Sequence, residues 1–101
     1  MGFELRFSDE AADDVAEAYA WYQRQRAGLG EEFLTCVEAA TQRLSRHPEA
    51  CPKVYRDFRR AIVRRFPYSV FYEIVGQQIM VYAVFHAARD PRKWRQRLQS
   101  E

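Results

Sequence analysis

Basic side chains lie on both sides of one aromatic stretch of the sequence. They are Lys53, Arg59, Arg60, Arg64 and Arg65 before it, and His86 and Arg89 after it. A site that cleaves RNA needs a base for the ribose 2′-hydroxyl, cations for the phosphate and an acid for the leaving oxygen. Arginine binds phosphate but stays charged, whereas histidine titrates near neutral pH. The sequence therefore offers a candidate nuclease site, with His86 for proton transfer and Arg60, Arg64, Arg65 and Arg89 for phosphate.

The same residues have a simpler interpretation. His86 can cap a strand end by hydrogen bonding to the following loop, and the arginines can form a solvated surface or a docking site for an acidic partner. Along an extended strand, Arg60 and Arg64 lie on one side, and Arg59 and Arg65 lie on the other. The pair that shares a face with His86 depends on the turn that follows, so the sequence leaves both pairs open.

The aromatic stretch, together with the basic residues that flank it, predicts three consecutive antiparallel strands. Residues 59–86 are rich in β-branched and aromatic side chains and are interrupted by Pro67 and Gly76. Gly76 begins a predicted two-residue type II′ turn, because glycine accepts the positive φ of the first central position. Val75 then lies opposite Gln78, and this register assigns a face to each residue of the last two strands.

Alternation along these strands predicts two unlike faces. The apolar face needs a cover and carries Tyr68, Val70, Tyr72, Ile74, Ile79, Val81, Ala83 and Phe85. The opposite face, which we call the mixed face, carries Ser69, Phe71, Glu73, Val75, Gln78, Met80, Tyr82, Val84 and His86. A face that combines apolar and aromatic side chains with polar groups can bind a partner, line a groove or pack against a short helix. The predicted partner-binding residues are Arg60, Arg64, Phe71, Met80, Tyr82 and Trp94.

The rest of the chain predicts helices around this sheet. Residues 3–7 alternate in polarity and predict an edge strand. Ser8 caps a helix that ends near residue 25 or 26, and a second helix begins near Gly30 and ends at the dipeptide His47-Pro48. The two helices would pack as a hairpin over the apolar face. Residues 49–57 predict a loop or a short irregular link.

A short basic helix closes the chain. Asp90 and Pro91 predict its first turn, and it extends over residues 92–99. Trp94 and Leu98 anchor it, and we expect Trp94 to form a lid over the mixed face. The predicted fold class is α+β, an antiparallel-rich sheet in the order β-α-α-β-β-β-α with a helical hairpin packed on one face.

Composition and charge narrow the class of protein. The 101 residues are enough for one domain, residues 1–101, and 48% of them are hydrophobic. Without a membrane-length apolar run or a signal-peptide pattern, we expect a cytoplasmic protein with no membrane partner. Cys36 and Cys51 lack metal-ligand spacing, so we expect free cysteines, no metal and no cofactor. Residues 1–52 carry a net charge of −5 and residues 53–101 carry +7, so the sheet and tail are basic.

Several landmarks occur in the order of a known family. They are Phe7-Ser8 before an Ala-rich helix with Tyr19 and Tyr22, then Gly30, Phe33-Leu34, Leu44 and His47-Pro48, then Arg64-Arg65-Phe66-Pro67-Tyr68 with Tyr72, and finally Val81 through His86-Ala87-Ala88-Arg89-Asp90-Pro91 with Trp94. In order and spacing the chain resembles the RelE/ParE superfamily of toxins from type II toxin–antitoxin modules. The segment that runs from His86 to Trp94 is more similar to the ParE branch.

The resemblance implies a function and partners. ParE-like toxins are taken to inhibit DNA gyrase and to serve plasmid stabilization, and RelE-like toxins cut mRNA in the ribosome. Both are neutralised by an antitoxin, here ParD-like or related, whose C-terminal segment wraps the toxin. RelE-like nucleases commonly add a Lys or Tyr near the C-terminus, and residues 87–101 contain Lys93 and no Tyr. The leading hypothesis is therefore a non-enzymatic gyrase inhibitor; the alternatives are a ribosome-dependent mRNA endonuclease and a non-toxic binding module.

Overall fold

The structure, a computed structural model, describes residues 2–101. The elements are β1 (Glu4–Phe7), α1 (Asp9–Gln25), α2 (Leu29–Arg46), β2 (Lys53–Tyr55), β3 (Phe58–Ile62), β4 (Tyr68–Val75), β5 (Gln78–His86) and α3 (Pro91–Gln99). The α+β class, the helical hairpin and the closing helix are confirmed. Among the helices of the described residues, none combines the length and apolar composition needed to cross a bilayer.

The five strands form one sheet in the order β1-β5-β4-β3-β2. β1 lies at an edge, as predicted, and pairs with β5 in parallel, whereas the other neighbours are antiparallel. The sheet is therefore mixed, although mostly antiparallel. The prediction that residues 49–57 form only a loop is wrong, because Lys53–Tyr55 pairs with the start of β3 across a tight turn in which Arg56 has a φ of 50°.

The predicted helix boundaries are confirmed by their caps. The Ser8 hydroxyl accepts a hydrogen bond from the amide of Ala11 at 3.1 Å, and the Asp90 carboxylate accepts one from Arg92 at 2.9 Å. α1 and α2 approach closely at Gly30, where an added Cβ would lie 2.8 Å from the backbone oxygen of Tyr19. Only glycine fits at this crossing, so Gly30 sets the separation of the two helices.

The hairpin covers the predicted apolar face. Tyr72, Ile79 and Val81 are fully buried in one core together with Phe33 of α2. The Tyr72 hydroxyl donates to the carbonyl oxygen of Pro48 at 2.6 Å, so its polar atom is satisfied inside the core. The assignment of Tyr68, Val70, Tyr72, Ile74, Ile79 and Val81 to this side of the sheet is confirmed.

A β-bulge changes the faces of the last part of β5. The turn at Gly76, with a φ of 61°, and the pairing of Val75 with Gln78 are as predicted, and that register holds to Tyr72 and Val81. Phe71 then pairs with Ala83, so Tyr82 is an extra residue on β5. Beyond it each side chain lies on the face opposite to the predicted one.

The bulge reverses the predicted faces of four residues, Ala83 to His86. Ala83 and Phe85 lie in the core of the mixed face with Phe71, and not under the hairpin. Val84 belongs to the hairpin core, and His86 pairs with Tyr68 on that side of the sheet. The first part of β5 keeps its predicted faces because it precedes the bulge.

α3 covers part of the mixed face. Trp94 stacks on Phe71 with ring centroids 4.8 Å apart, and Leu98 is fully buried beside Phe85. The prediction of Trp94 as a lid is confirmed. Phe71 is only 1% exposed beneath it, so the expectation that Phe71 presents an open surface for a partner is wrong.

The strand that carries the first arginines is shorter than predicted. β3 ends at Ile62, and residues 63–67 form a turn closed by the amide of Val63 donating to the carbonyl of Tyr68 at 3.0 Å. Arg64 and Arg65 lie in this turn, and Arg65 has a φ of 73°. The predicted alternation therefore applies to Arg59 and Arg60 but does not extend to Arg64 and Arg65.

Candidate functional site

A cavity of about 220 Å³ lies between the sheet and the start of α3. It is lined by Arg60, Ile62, Ser69, Phe71, Phe85, His86, Ala87, Arg89, Pro91 and Trp94. Arg60 reaches it because it pairs with Phe71 and shares the face of that residue. The structure thus brings together three predicted site residues, Arg60, His86 and Arg89, and leaves Arg64 and Arg65 outside the cavity.

His86 stands at the end of β5 with one ring nitrogen committed. Its Nδ1 accepts a hydrogen bond from the amide of Ala88 at 2.9 Å, and its ring meets the edge of Tyr68 at 5.2 Å. The simpler interpretation of His86 as a cap of the strand end is confirmed. Its Nε2 is the ring atom left for proton transfer.

Arg89 is held beside His86 by backbone and aromatic contacts. Its amide donates to the carbonyl oxygen of His86 at 3.1 Å, and its guanidinium lies over the ring of Phe85 at 4.2 Å from the centroid. A cation over an aromatic face is held without losing its charge. Arg89 is exposed and keeps its charge beside His86.

The other predicted cations have structural partners. Arg59 donates to the carbonyl oxygens of Glu49 and Cys51, and Lys53 pairs with Asp57 at 3.2 Å. Arg65 pairs with Glu32 at 2.9 Å. These cations hold loops, whereas Arg60 and Arg64 have no ion pair among residues 2–101.

Two tyrosines, Tyr68 at the start of β4 and Tyr82 at the bulge of β5, are poor acids and bases at neutral pH. Burial, and then the neighbouring Tyr22, raises the pKa of Tyr68 to about 12. Burial, and then the charge of Glu73, raises the pKa of Tyr82 to about 12, and the Tyr82 hydroxyl donates to that carboxylate at 3.2 Å. Proton transfer at this end of the sheet would depend on His86.

The predicted partner-binding residues differ in exposure and in position. Arg64 is exposed, and Arg60, Met80, Tyr82 and Trp94 are half-buried. Tyr82 and Trp94 pack against the core that contains Phe71, Arg60 lines the cavity beside α3, and Arg64 lies in the turn after β3. Within residues 2–101, no group of three His, Cys, Asp or Glu side chains is close enough to hold a metal ion.

A second, larger cavity lies on the hairpin side of β5, and the sequence did not point to it. It measures about 480 Å³ and is lined by Asp14, Glu17, Ala18, Ala20, Trp21, Arg24, Tyr68, Val84, His86 and Arg89. Trp21 is 50% exposed on its wall. No sequence signal singles out Trp21, because its exposure depends on how α1 packs on the sheet.

Arg97 is a further residue that sequence reasoning missed. Its guanidinium makes two hydrogen bonds to Asp14, at 2.9 and 3.1 Å, and one to the carbonyl oxygen of Tyr82 at 2.9 Å. The bond to Asp14 raises the pKa of Arg97. Asp14 also accepts the amide of Val84 at 2.9 Å, so this pair ties α1 and α3 to the bulge.

Comparisons with known proteins relate this chain to ParE toxins. A model of the family described as the ParE toxin of the type II toxin–antitoxin system parDE matches residues 5–91. The toxin ParE2 of Mycobacterium tuberculosis is 27% identical over 92 residues, which cover 90% of this chain and 88% of the relative.

Two solved structures share the fold. One, from a chromosomal ParDE toxin–antitoxin system of P. aeruginosa, matches with a TM-score of 0.75 at 16% identity and covers 83% of this chain and 95% of that one. The other, from the toxin–antitoxin complex RelBE2 of Mycobacterium tuberculosis, matches with a TM-score of 0.62 at 24% identity and covers 85% of this chain and 99% of that one.

Proposed function

The chain belongs to the ParE toxin family of type II toxin–antitoxin systems, and on that premise we propose that it inhibits DNA gyrase by binding it, without a chemical step of its own. It is the toxin component of a type II module. We propose that a ParD-like antitoxin holds it inactive. Both gyrase and such an antitoxin belong to the cytoplasm, which is the compartment that this proposal implies.

One observation carries the proposal. The ParE family model spans residues 5–91, which contain the hairpin, all five strands except Glu4, and the segment from His86 to Pro91. The chemistry of the site supports the proposal of binding without catalysis. The cavity near α3 is lined by two arginines and one histidine, and Nδ1 of that histidine already accepts a hydrogen bond from the amide of Ala88. A binding surface needs no further acid or base.

A gyrase supercoiling assay tests the proposal. The purified toxin is added in stoichiometric excess over gyrase and relaxed plasmid, and we expect loss of supercoiling or accumulation of cleaved DNA. The control is the same toxin mixed first with its antitoxin, which should restore supercoiling. Unimpaired supercoiling together with an absence of cleaved DNA would refute gyrase as the target.

The antitoxin is proposed to meet the basic half of the chain. Residues 53–101 carry a net charge of +7, and Arg60 and Arg64 are cations without an ion pair among residues 2–101. An acidic segment would gain from both charges by long-range attraction. The binding partner to test is the candidate antitoxin, the protein encoded by the reading frame next to the gene of this toxin.

Charge reversal tests this placement. The double variant Arg60→Glu and Arg64→Glu should bind that product more weakly than wild type at low salt, because two attractive charges become repulsive. Arg6→Glu combined with Arg46→Glu, two exposed changes on β1 and α2, is the control, because it changes the net charge by the same −4. Unchanged affinity of the double variant would exclude these arginines from the antitoxin surface.

A second candidate function is cleavage of mRNA in the ribosome. The observation that favours it is that Arg60, His86 and Arg89 line one cavity, which places two cations for phosphate beside an imidazole ring. Cut sites in translated mRNA would be mapped with wild type and with His86→Ala. An endonuclease of this kind should lose cleavage in the variant, and an unchanged pattern would remove His86 from the reaction.

A further inference from the structure

The cavity beside α3 is lined by two cations and by no acidic residue. Arg60 and Arg89 lie on its wall, and neither guanidinium has an ion pair among residues 2–101. The larger cavity beside α1 differs, because Asp14 and Glu17 are among its lining residues. The charge of the cavity beside α3 therefore favours an anion as its ligand.

Ser69 adds a hydroxyl to this cavity. The residue is only 5% exposed and lies between Ile62 of β3 and Phe85 of β5, which line the cavity with it. Its hydroxyl makes no hydrogen bond within residues 2–101, and no polar side-chain atom of these residues is both fully enclosed and unpaired. The Ser69 oxygen therefore reaches open space, which the cavity supplies. An unpaired hydroxyl on a buried residue indicates a ligand that accepts its proton.

The cavity has the shape of a cup with a buried floor. Ser69, Phe71 and Phe85 form the floor and are at most 5% exposed, whereas Ile62 and Arg89 on the rim are exposed. Its volume of about 220 Å³ is below the roughly 300–1,000 Å³ of pockets for drug-sized ligands. A cup of this size seats one terminal group of a ligand, and a chain cannot pass through its floor.

The polar side chains around this cup are hydrogen-bond donors. Guanidinium groups only donate, and the Ser69 hydroxyl can donate. Nδ1 of His86 accepts the amide of Ala88 at 2.9 Å, so the neutral ring carries its proton on Nε2, which is a donor as well. The amides of residues 87–89 are already bonded to Pro67 and His86, so side chains supply the donors. An oxyanion with several acceptor oxygens matches this set.

A phosphate monoester matches the cup better than other oxyanions. It carries nearly two negative charges at neutral pH and three terminal oxygens, which correspond to the two arginines and one hydroxyl. Arginine also binds phosphate oxygens in pairs through its planar group. A phosphodiester within a nucleic-acid strand carries one charge and continues on both sides, and a carboxylate has one charge and two oxygens.

We propose that this cup binds a terminal phosphate group, supplied by a free nucleotide or by the end of a nucleic-acid strand. The Ser69 hydroxyl and the guanidinium groups of Arg60 and Arg89 donate to its oxygens. No bond is made or broken, so the site differs from one that cleaves an internal phosphodiester of mRNA. The site goes beyond the proposed function and does not depend on gyrase as the target.

Two pairs of ligands that differ only in the phosphate test the site. Isothermal titration calorimetry in a phosphate-free buffer at low salt compares adenosine 5′-monophosphate with adenosine, and a short 5′-phosphorylated single strand with the same strand ending in a hydroxyl. We expect the phosphate to tighten binding at least about tenfold. A gain in both pairs assigns the site to a free nucleotide, and a gain in the strand pair alone assigns it to a nucleic-acid end. No gain in either pair would overturn the proposal.

Ser69→Ala tests the hydroxyl. This hydroxyl has no partner within the protein, so we expect circular dichroism and the Tm to match those of wild type. The phosphorylated ligand should bind about tenfold more weakly, the loss for one hydrogen bond to a charged group, and the ligand without phosphate should be unaffected. Wild-type affinity for the phosphorylated ligand would show that the Ser69 hydroxyl is not a donor and would refute the site.

Arg60→Gln tests the charge of the cup against general attraction. It should weaken binding of the phosphorylated ligand about tenfold. Arg46→Gln is the matched control, because Arg46 is also an arginine without an ion pair among residues 2–101 but does not line the cup. Equal affinities of the two variants would mean that surface charge, and not the cup, attracts the phosphate.

Nuclear magnetic resonance on wild type decides the question if either variant of the cup fails to fold. The phosphorylated ligand should shift the amide signals of Ser69 and of residues 87–89 and leave those of α2 unchanged. Shifts that exclude Ser69 and residues 87–89 would place the phosphate elsewhere. Gyrase inhibition is measured separately, so a toxin that inhibits gyrase without recognising the phosphate would refute this site and leave the proposed function standing.

Discussion

Arg97 joins three parts of the chain that are distant in sequence. It holds Asp14 of α1 through two hydrogen bonds and the Tyr82 carbonyl of the bulge through one. Its side chain is 15% exposed and that of Asp14 is 9% exposed, so water screens the pair only weakly. The residue pair therefore fixes the position of α3 on β5.

Asp14→Asn tests this pair. The substitution removes the buried charge that Arg97 pairs with and leaves this partly buried cation only the exposed Glu10 at 3.3 Å, so we expect a loss of about 2 kcal/mol in the free energy of unfolding. Urea denaturation followed by circular dichroism measures it. Asp13→Asn, an exposed change one position away, should lie within about 0.5 kcal/mol of wild type. A neutral result for Asp14→Asn would show that the pair adds no stability.

At the scale of elements, α3 makes the mixed face into a second core. Phe58, Phe71 and Phe85 line that core, and α3 contributes Trp94 and Leu98. A basic helix with few apolar residues would not be stable alone. It folds because Leu98 is buried in this core, Trp94 stacks on Phe71, and Arg97 is paired.

Trp94→Ala tests the contribution of that cover. The stacked contact with Phe71 would be lost and the core would open to water, so the free energy of unfolding should fall by about 2 kcal/mol, less than for a fully buried tryptophan. Thermal unfolding measures the change, with the exposed Gln96→Ala as control. Equal stabilities of the two variants would mean that Trp94 is not a structural lid.

The hairpin is linked to the turn after β3 through Glu32. Hydrogen bonds from Arg26, and then from Arg65, lower the pKa of this carboxyl below its ordinary value of 4.5. A lowered pKa means that the carboxylate stabilises the fold above pH 4.5 and that this contribution disappears as the pH falls through the folded-state pKa.

Glu32→Gln should therefore be less stable than wild type at neutral pH, and the difference should shrink as the pH falls below 4.5. Urea midpoints across this pH range measure it. Glu38→Gln, an exposed change on the same helix that breaks no ion pair among residues 2–101, should show a smaller dependence on pH. A difference that stays constant with pH would contradict the role of the two arginines.

At the scale of the whole molecule, the charge is unevenly divided. Residues 1–52 carry −5, which lies mainly on the hairpin, and residues 53–101 carry +7, on the sheet and α3. Such a division steers an acidic segment toward the basic half before it makes contacts. We expect the affinity for the antitoxin to fall roughly tenfold as salt rises from low to high concentration, mainly through the association rate. Surface plasmon resonance measures both rates, and a salt-independent association rate would argue against electrostatic steering.

The sequence by itself determined the elements and most of the apolar face. The helix caps Ser8 and Asp90 and the turn at Gly76 depend on contacts within a few residues, so the local sequence predicts them. Up to Val81 polar and apolar side chains alternate, and this alternation predicts the face of each residue. The resemblance to the family and the α+β class could also be predicted, because both depend on such local patterns. The short β2 was missed because its pairing depends on the turn at Arg56.

Only the tertiary structure decided the faces at the end of β5 and the composition of the site. From Tyr82 to Phe85 every side chain is apolar or aromatic, so a one-residue bulge leaves no mark on the pattern. The bulge is held by Asp14 and Arg97, which are 83 residues apart. Contacts at that separation depend on how the helices pack, and this packing placed His86 and Arg89 between two cavities.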